Sequence, residues 1–287
     1  VRGLPDEDTQ DGVSPLADVE KLVVEGRYGR ADLALRRLEA LIPSLAPAAD
    51  TETLLLALYG RALLLRQQGD TTQNSLAACD VLERAAHERE AELWVAVACA
   101  TRARFRVDSG DIGGATADLA RADAEAATGD LTSDTGYRLL DALALVYAGL
   151  RLHDRADEVR GRIEHSIKKR RVLDQAQHWS TWSGELAARA MEPLAGGAPD
   201  PEHELMGRAI DVAARLDPLP EAEVPSTLRR GARGVRALSA AYRGRPSEAL
   251  RLLGPDAFGT VGDLPLVERQ IVSLAAMRAH ALVGSLA

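Results

Sequence analysis

Apolar side chains recur along this chain at spacings of three and four, the period of one face of an α-helix. The stretch Ser109-Gly110-Asp111-Ile112-Gly113-Gly114-Ala115-Thr116-Ala117-Asp118-Leu119-Ala120-Arg121-Ala122 shows how that period is punctuated. Gly110 and Asp111 break one helical pattern, and Ala115, Leu119 and Ala122 begin another. The spacing predicts a helix hairpin whose glycine supplies backbone angles that a side chain obstructs. Related turns recur along the chain, so this one reads as the elbow of a repeating unit and not as an active-site loop.

In chain order, residues 1–13 are polar, hold Pro5, Gly3 and Gly12, and are expected to form a flexible acidic leader. Ser14 reads as an N-cap ahead of Pro15 at the first helical position. Val19, Leu22 and Val23 give the first apolar face, residues 25–30 turn, and Ala31, Leu35 and Leu38 continue until Pro43 closes the second helix. A helix over 51–68 ends at Gly69-Asp70, and a polar insert, Thr71-Thr72-Gln73-Asn74, precedes its partner over 76–86. The third outgoing helix, 91–107, carries Leu93, Trp94, Val97 and Phe105 into the elbow at Gly110, and Gly129-Asp130 closes the return. Tyr137, Leu140, Leu143, Ala144 and Tyr147 mark a fourth outgoing helix, with Ala156, Val159 and Ile163 on its partner. Residues 165–192 read as one long helix containing the basic run Lys168-Lys169-Arg170-Arg171 and the pair Trp179 and Trp182. Proline-containing loop breaks near 193–201 and 217–226 flank a helix over 203–216. A late hairpin over 228–242 and 247–253 turns at Gly244-Arg245-Pro246, and a last apolar helix covers 264–283.

Aligning the elbows on Ala31, Ala77, Ala115, Ala156, Ala209 and Ala249 gives intervals of 46, 38, 41, 53 and 40 residues. Strand alternation and Asn-Gly hairpin turns are absent between these points. The expected fold is all-α, with about six antiparallel helix pairs and an extra C-terminal helix in a single domain over 14–287.

Gly26, Tyr28, Ala31, Leu35 and Pro43, then Gly110, Asp111, Ala115, Leu119 and Ala122, then Gly244, Ala249 and Leu253, resemble the tetratricopeptide repeat consensus. Three elbows share Gly-x4-Ala, and the first adds the terminal proline. In the outgoing helices the large aromatic and the glycine of the consensus are mostly replaced by Ala, and the interval exceeds the roughly 34 residues usual for the family. The resemblance implies a right-handed superhelical array, an α-solenoid whose outgoing helices line a concave groove. Carried onto this chain, that groove holds Arg104, Arg138, Asp141, His178, Trp182, Arg233 and Tyr242. Helix pairs of this length look like the sensor regions of bacterial signal-transduction proteins, which carry a separate effector domain; none is visible here.

Composition sharpens this picture. Hydrophobic residues are 46% of 287, but aromatics are only 3%, so small Ala and Leu side chains must fill the core. Of 35 basic residues, 32 are arginines, which points to a GC-rich bacterial genome. Net charge is −8 and the pI near 5.4, so nothing global attracts nucleic acid, which is not the expected partner. Asp6, Glu7, Asp8 and Asp11 stand where a secretory signal carries positive charge, and no apolar run approaches the roughly 20 residues of a membrane span. A cytoplasmic location follows as the expectation. Cys79 and Cys99 sit in apolar helical patterns without a metal or redox spacing and read as buried, reduced thiols.

Candidate chemistry is thin. His87 and His203 each precede Glu but lack a second His four residues on, so no zinc helix is expected. Asp108-Ser109-Gly110-Asp111 has neither the alternating oxygens nor the closing Glu of a calcium loop. No phosphate-binding loop, nucleophile elbow or dinucleotide fingerprint is present, and no cofactor is expected. The carboxylate pairs Asp6/Asp8 and Glu221/Glu223 lie in polar segments. Residues 168–171 are either a solvated face or a phosphate contact. Trp179 and Trp182 share one helix face, either as core or as a binding platform. Arg229, Arg233 and Arg236 line another, facing solvent or an anionic group.

The last helix places Leu264, Leu266, Val267, Ile271, Val272, Leu274, Met277, Leu282 and Val283 over more than one stripe, with no polar capping face. That implies either a longer polypeptide or a homodimer through this helix. The expected function is non-catalytic: a module binding a protein or peptide, as the regulatory region of a bacterial signalling protein. The alternative is a small-molecule sensor holding its ligand inside the superhelix.

Overall fold

A computed structural model of the chain describes residues 14–48, 50–69, 72–127, 129–192, 204–254 and 266–284. Among these residues are α1 (Pro15–Tyr28), α2 (Ala31–Ala48), α3 (Thr51–Gln67), α4 (Thr72–Glu88), α5 (Glu92–Ser109), α6 (Ile112–Ala126) and α7 (Asp134–Gly149). They continue with α8 (His153–Ile167), α9 (Val172–Ala190), α10 (Glu204–Ala214), α11 (Ser226–Tyr242), α12 (Pro246–Leu253) and α13 (Leu266–Gly284), plus a 3-10 turn at Glu221–Glu223. No strand occurs among the described residues, so the helical period read from the sequence is realised throughout. The expected leader over 1–13 and the break near 193–201 lie outside the described residues.

Each outgoing helix packs on its return partner, from α1 on α2 to α11 on α12. Outgoing helices also pack on one another, α1 on α3, α5 on α7, α9 on α11, and α11 on α13. The buried set is mostly Ala, Leu and Val, as the scarcity of aromatics requires.

The elbow at Gly110 is a left-handed helix stop. Gly110 has φ +82°, its N–H donates to the Val107 carbonyl at 3.0 Å, and the Asp111 N–H reaches the Arg106 carbonyl at 2.9 Å. The Asp111 carboxylate then caps α6 by accepting from the Gly114 N–H at 2.9 Å. Gly244 repeats the geometry with φ +70°. So does Arg151, with φ +60° and the Leu152 N–H donating to the Tyr147 carbonyl at 2.8 Å. The α7–α8 elbow therefore has the same backbone without the glycine that marks it in sequence.

Several expectations need correction. Gly26 is not an elbow residue: α1 runs on to Tyr28, and a Cβ at Gly26 would stand 2.6 Å from Leu64 Cδ2 and 2.8 Å from Ala34 Cβ. Its role is close approach of α1 to α2 and α3. Pro43 does not close α2, which continues to Ala48. Pro43 and Glu39 are both exposed, so the carbonyl that loses its donor faces water. The insert 71–74 is largely the first turn of α4, and the elbow register shifts with it. Ala77 is exposed and Ala78 buried, Ala31 is half-buried and Ala34 buried, whereas Ala115, Ala156, Ala209 and Ala249 are buried as expected.

The long helix expected over 165–192 is two helices. The basic run is the turn between α8 and α9. Arg170 pairs with Asp134 at 2.7 Å and donates to the Thr132 and Ser133 carbonyls at 2.7 Å, fastening that turn to the start of α7. In α13, Ile271, Val272, Ala275, Ala276 and Ala279 are buried, while Met277 and Val283 are 56% and 41% exposed. The apolar residues thus divide between an inner stripe and scattered outer positions.

Candidate functional site

The outgoing helices α1, α3, α7 and α9 converge on a cavity of about 60 Å³. Its walls include Tyr28, Tyr59, Tyr137, Arg138, Asp141 and Gln177. Ties from α1 cross the interior. The Tyr28 hydroxyl donates to Gln177 Oε1 at 2.8 Å, and Arg27 Nη1 donates to the same oxygen at 3.2 Å. Glu20 pairs with Arg138 at 3.3 Å and with Arg171 at 2.8 Å. A second cavity, about 180 Å³, lies along the C-terminal halves of α5, α7 and α9, with Arg104, Leu145, Glu185 and Arg189 among its walls.

A buried charge chain joins the two. Arg160, fully buried on α8, pairs with Asp141 at 2.8 Å and grips Glu185 with Nε at 3.1 Å and with Nη2. Asp141 Oδ2 accepts from Gln177 Nε2 at 3.1 Å, so the chain runs Gln177–Asp141–Arg160–Glu185 from one cavity to the other. Burial opposes the charge on Asp141, but Arg160, Arg27 and Arg104 together hold its carboxyl below the usual range. His178 packs against this chain, its Nδ1 3.4 Å from Arg160 Nη1. Burial pushes its imidazole below the ordinary value, against the opposing pull of Glu164 at 3.5 Å.

The seven residues expected in one groove do not assemble into one site. Arg138 and Asp141 line the first cavity, and Arg104 the second. His178 is fully buried behind them. Trp182 is buried too, 5.5 Å from the His178 ring and 5.9 Å from the Arg215 guanidinium. The reason is rotational: adjacent helix positions differ by about 100°, so Gln177 faces the cavity while His178 and Trp182, one turn apart, face away from it. Arg233 is exposed on a separate groove of about 290 Å³ beside Leu216 and Glu221, and Tyr242 lies beneath Arg278 at 5.1 Å. Both tryptophans are core residues, with Trp179 Nε1 donating to Glu164 at 3.2 Å.

The arginine face of α11 is largely spent inside the molecule. Arg229 donates to the Leu216 and Leu219 carbonyls at 3.0 and 2.7 Å, and Arg236 pairs with Asp217 at 2.8 Å. Arg229 thus satisfies carbonyls just beyond the end of α10, and Arg236 also donates to the Ala213 carbonyl in its last turn at 3.3 Å. Cys79 and Cys99 are buried and free; burial pushes the Cys99 thiol up to about 11. Among the described residues no group of three or more His, Cys, Asp or Glu is placed to hold a metal ion.

Sequence reasoning missed Arg27, Tyr28, Tyr59, Tyr137 and Gln177. One signal was available: three of the chain's five tyrosines line this cavity, in an interior otherwise built from Ala and Leu. Phenol hydroxyls in such a setting need a polar focus.

Compared with family models, curated proteins and solved structures, the chain matches none. Among the described residues no helix is long and apolar enough to cross a membrane.

Proposed function

We propose that this chain is a non-catalytic recognition module of the tetratricopeptide-like class, a right-handed helical array that holds a small polar ligand between its outgoing helices. Six successive helix pairs support the array, because each outgoing helix packs on its own partner and most pack on the next outgoing helix. The observation that carries the ligand reading is the set of ties from α1 to α7 and α9. They span the interior across a half-open cavity with room for on the order of five water molecules, which is too small for an extended chain. In a bacterial cytoplasm such a module serves as the sensor region of a signalling or transcription-regulating protein, its occupancy read by an effector domain or a partner.

The second reading is a protein or peptide ligand. The 180 Å³ cavity on the C-terminal halves of α5, α7 and α9 favours it, since a side chain of a bound peptide would fit there. A thermal-shift screen of small polar metabolites, run beside a peptide array, separates the two. The ligand reading expects hits that disappear in Gln177→Ala. Peptide binding that persists in Gln177→Ala, with no metabolite hit, replaces it with the second reading, and turnover of a substrate overturns both.

A further inference from the structure

Four carboxylates and four arginines line the first cavity, but their ion pairs leave only positive groups without an ionic partner. Every carboxylate at the first cavity is already committed: Glu20 to Arg138 and Arg171, Asp134 to Arg170, Asp141 to Arg160, and Asp174 to Arg171. Two arginines are left over. Among the described residues Arg27 makes no ion pair. Its one side-chain hydrogen bond goes to Gln177, and its guanidinium lies 5.6 Å from the centre of the Tyr28 ring. Arg104, half-buried at the neighbouring cavity, has neither an ion pair nor a hydrogen bond among the described residues. The charges of both reach Asp141 and Tyr59.

Tyr59 supplies the second, independent observation. It is 8% exposed on α3, it lines the cavity, and its hydroxyl has no hydrogen-bond partner among the described residues. The ring is buried while the hydroxyl is left without a protein partner, and the cavity that Tyr59 lines is where a ligand oxygen could supply one. A cationic ligand would find no uncommitted carboxylate there. A neutral one would leave two half-buried guanidiniums without a direct ionic partner.

We infer that the cavity binds a low-molecular-weight carboxylate, with Arg27 and the Tyr59 hydroxyl donating to its oxygens and Arg104, at the neighbouring cavity, adding a second positive charge without an ionic partner. This rests on the small-ligand reading above and names its chemical class. A planar monoanion matches the fork of a guanidinium. A phosphate dianion would instead place its second charge against ionised Asp141.

The test uses the full chain and sodium acetate, propionate and benzoate as probes, with sodium chloride at matched ionic strength and sodium phosphate as a separate arm. At saturating concentration at least one carboxylate raises Tm by about 3 °C or more over chloride. In Tyr59→Phe and Arg104→Gln its affinity drops about tenfold or more. Neither variant breaks an internal bond, so their unliganded Tm stays within about 2 °C of the parent, which separates lost binding from lost folding. A shift equal in parent and variants overturns the site, and a shift with phosphate alone overturns the carboxylate class. Absence of any carboxylate shift overturns the inference outright. If a neutral molecule then stabilises the parent and fails with Gln177→Ala, the small-ligand reading stands while the carboxylate does not.

Discussion

Replacing Arg160 by Met is the strongest single test of the interior. Arg160 is fully buried, and the side chains of its partners Asp141 and Glu185 are each 8% exposed. Methionine restores most of the aliphatic stem but leaves two carboxylates in a site that water barely reaches. Breaking a buried pair from one side costs about 3–5 kcal/mol, because the remaining charge keeps its desolvation penalty and loses its counter-ion. For a chain of this size that is a fall in Tm of about 10 °C.

The pH dependence makes the reasoning specific. In the parent, Asp141 titrates below its unfolded value, so its stabilisation is complete above the unfolded pKa and is lost as pH falls through the folded one. In the variant Asp141 keeps its burial and loses Arg160, so its carboxyl moves up and protonation relieves the folded state as pH falls. The gap between the two proteins must therefore be widest near pH 7.5 and narrower near pH 5. Urea unfolding followed by far-UV circular dichroism at both values measures it. The triple variant Arg160→Met, Asp141→Asn, Glu185→Gln should recover most of the loss, since no charge is left buried. A loss under about 1 kcal/mol, or one independent of pH, refutes the claim that this arginine neutralises its partners.

Ala115→Phe should cost about 1–3 kcal/mol in urea unfolding, because Ala115 is fully buried where α6 packs on α5. An unchanged midpoint would show that the elbow alanine is not a packing contact. Arg151→Gly should stabilise by about 1 kcal/mol by removing a side chain from a left-handed position; a lower Tm would mean that its backbone geometry is not limiting. His178 is buried with its imidazole pushed below the ordinary value of 6.5, so the unfolded chain binds its proton first as pH drops. Its contribution is thus present above about pH 6.5 and lost as pH falls below it, and its NMR ring resonances should titrate at lower pH than those of a free imidazole. A ring that titrates at or above 6.5 would contradict that burial.

The helices were legible because helical periodicity survives replacement of nearly every large residue by Ala. Helix ends were less so. A left-handed stop announces itself at Gly110 and Gly244 but not at Arg151, where the same backbone carries a side chain. The basic run at 168–171 has a helical composition, and distant partners hold it as a turn: Asp134 and the carbonyls of residues 132 and 133 on Arg170, and Glu20 on Arg171. The site was legible in part. Arg138 and Asp141 follow from placing outgoing helices on the inside, but the choice between Gln177 and His178 depends on the rotation of α9. That rotation is set by contacts with α8, α10 and α11, which local pattern does not encode.

An Ala-rich interface also leaves a problem that its hydrophobic contacts do not solve. Small, similar side chains fill space but discriminate weakly between one helix register and the next. Arginine hubs stand where that ambiguity would matter. Arg102 on α5 reaches Asp118 on α6 at 2.7 Å and Asp80 on α4 at 2.8 Å, while Arg160 on α8 joins Asp141 on α7 to Glu185 on α9. Each hub ties its own hairpin partner to a helix of the adjacent hairpin, and a slip of one residue would turn its acceptors by about 100°. The second hub includes Asp141, the wall of the cavity. The same bonds that fix how α7, α8 and α9 pack therefore also fix the charge a ligand meets, which is why Arg160 should alter binding without touching the ligand.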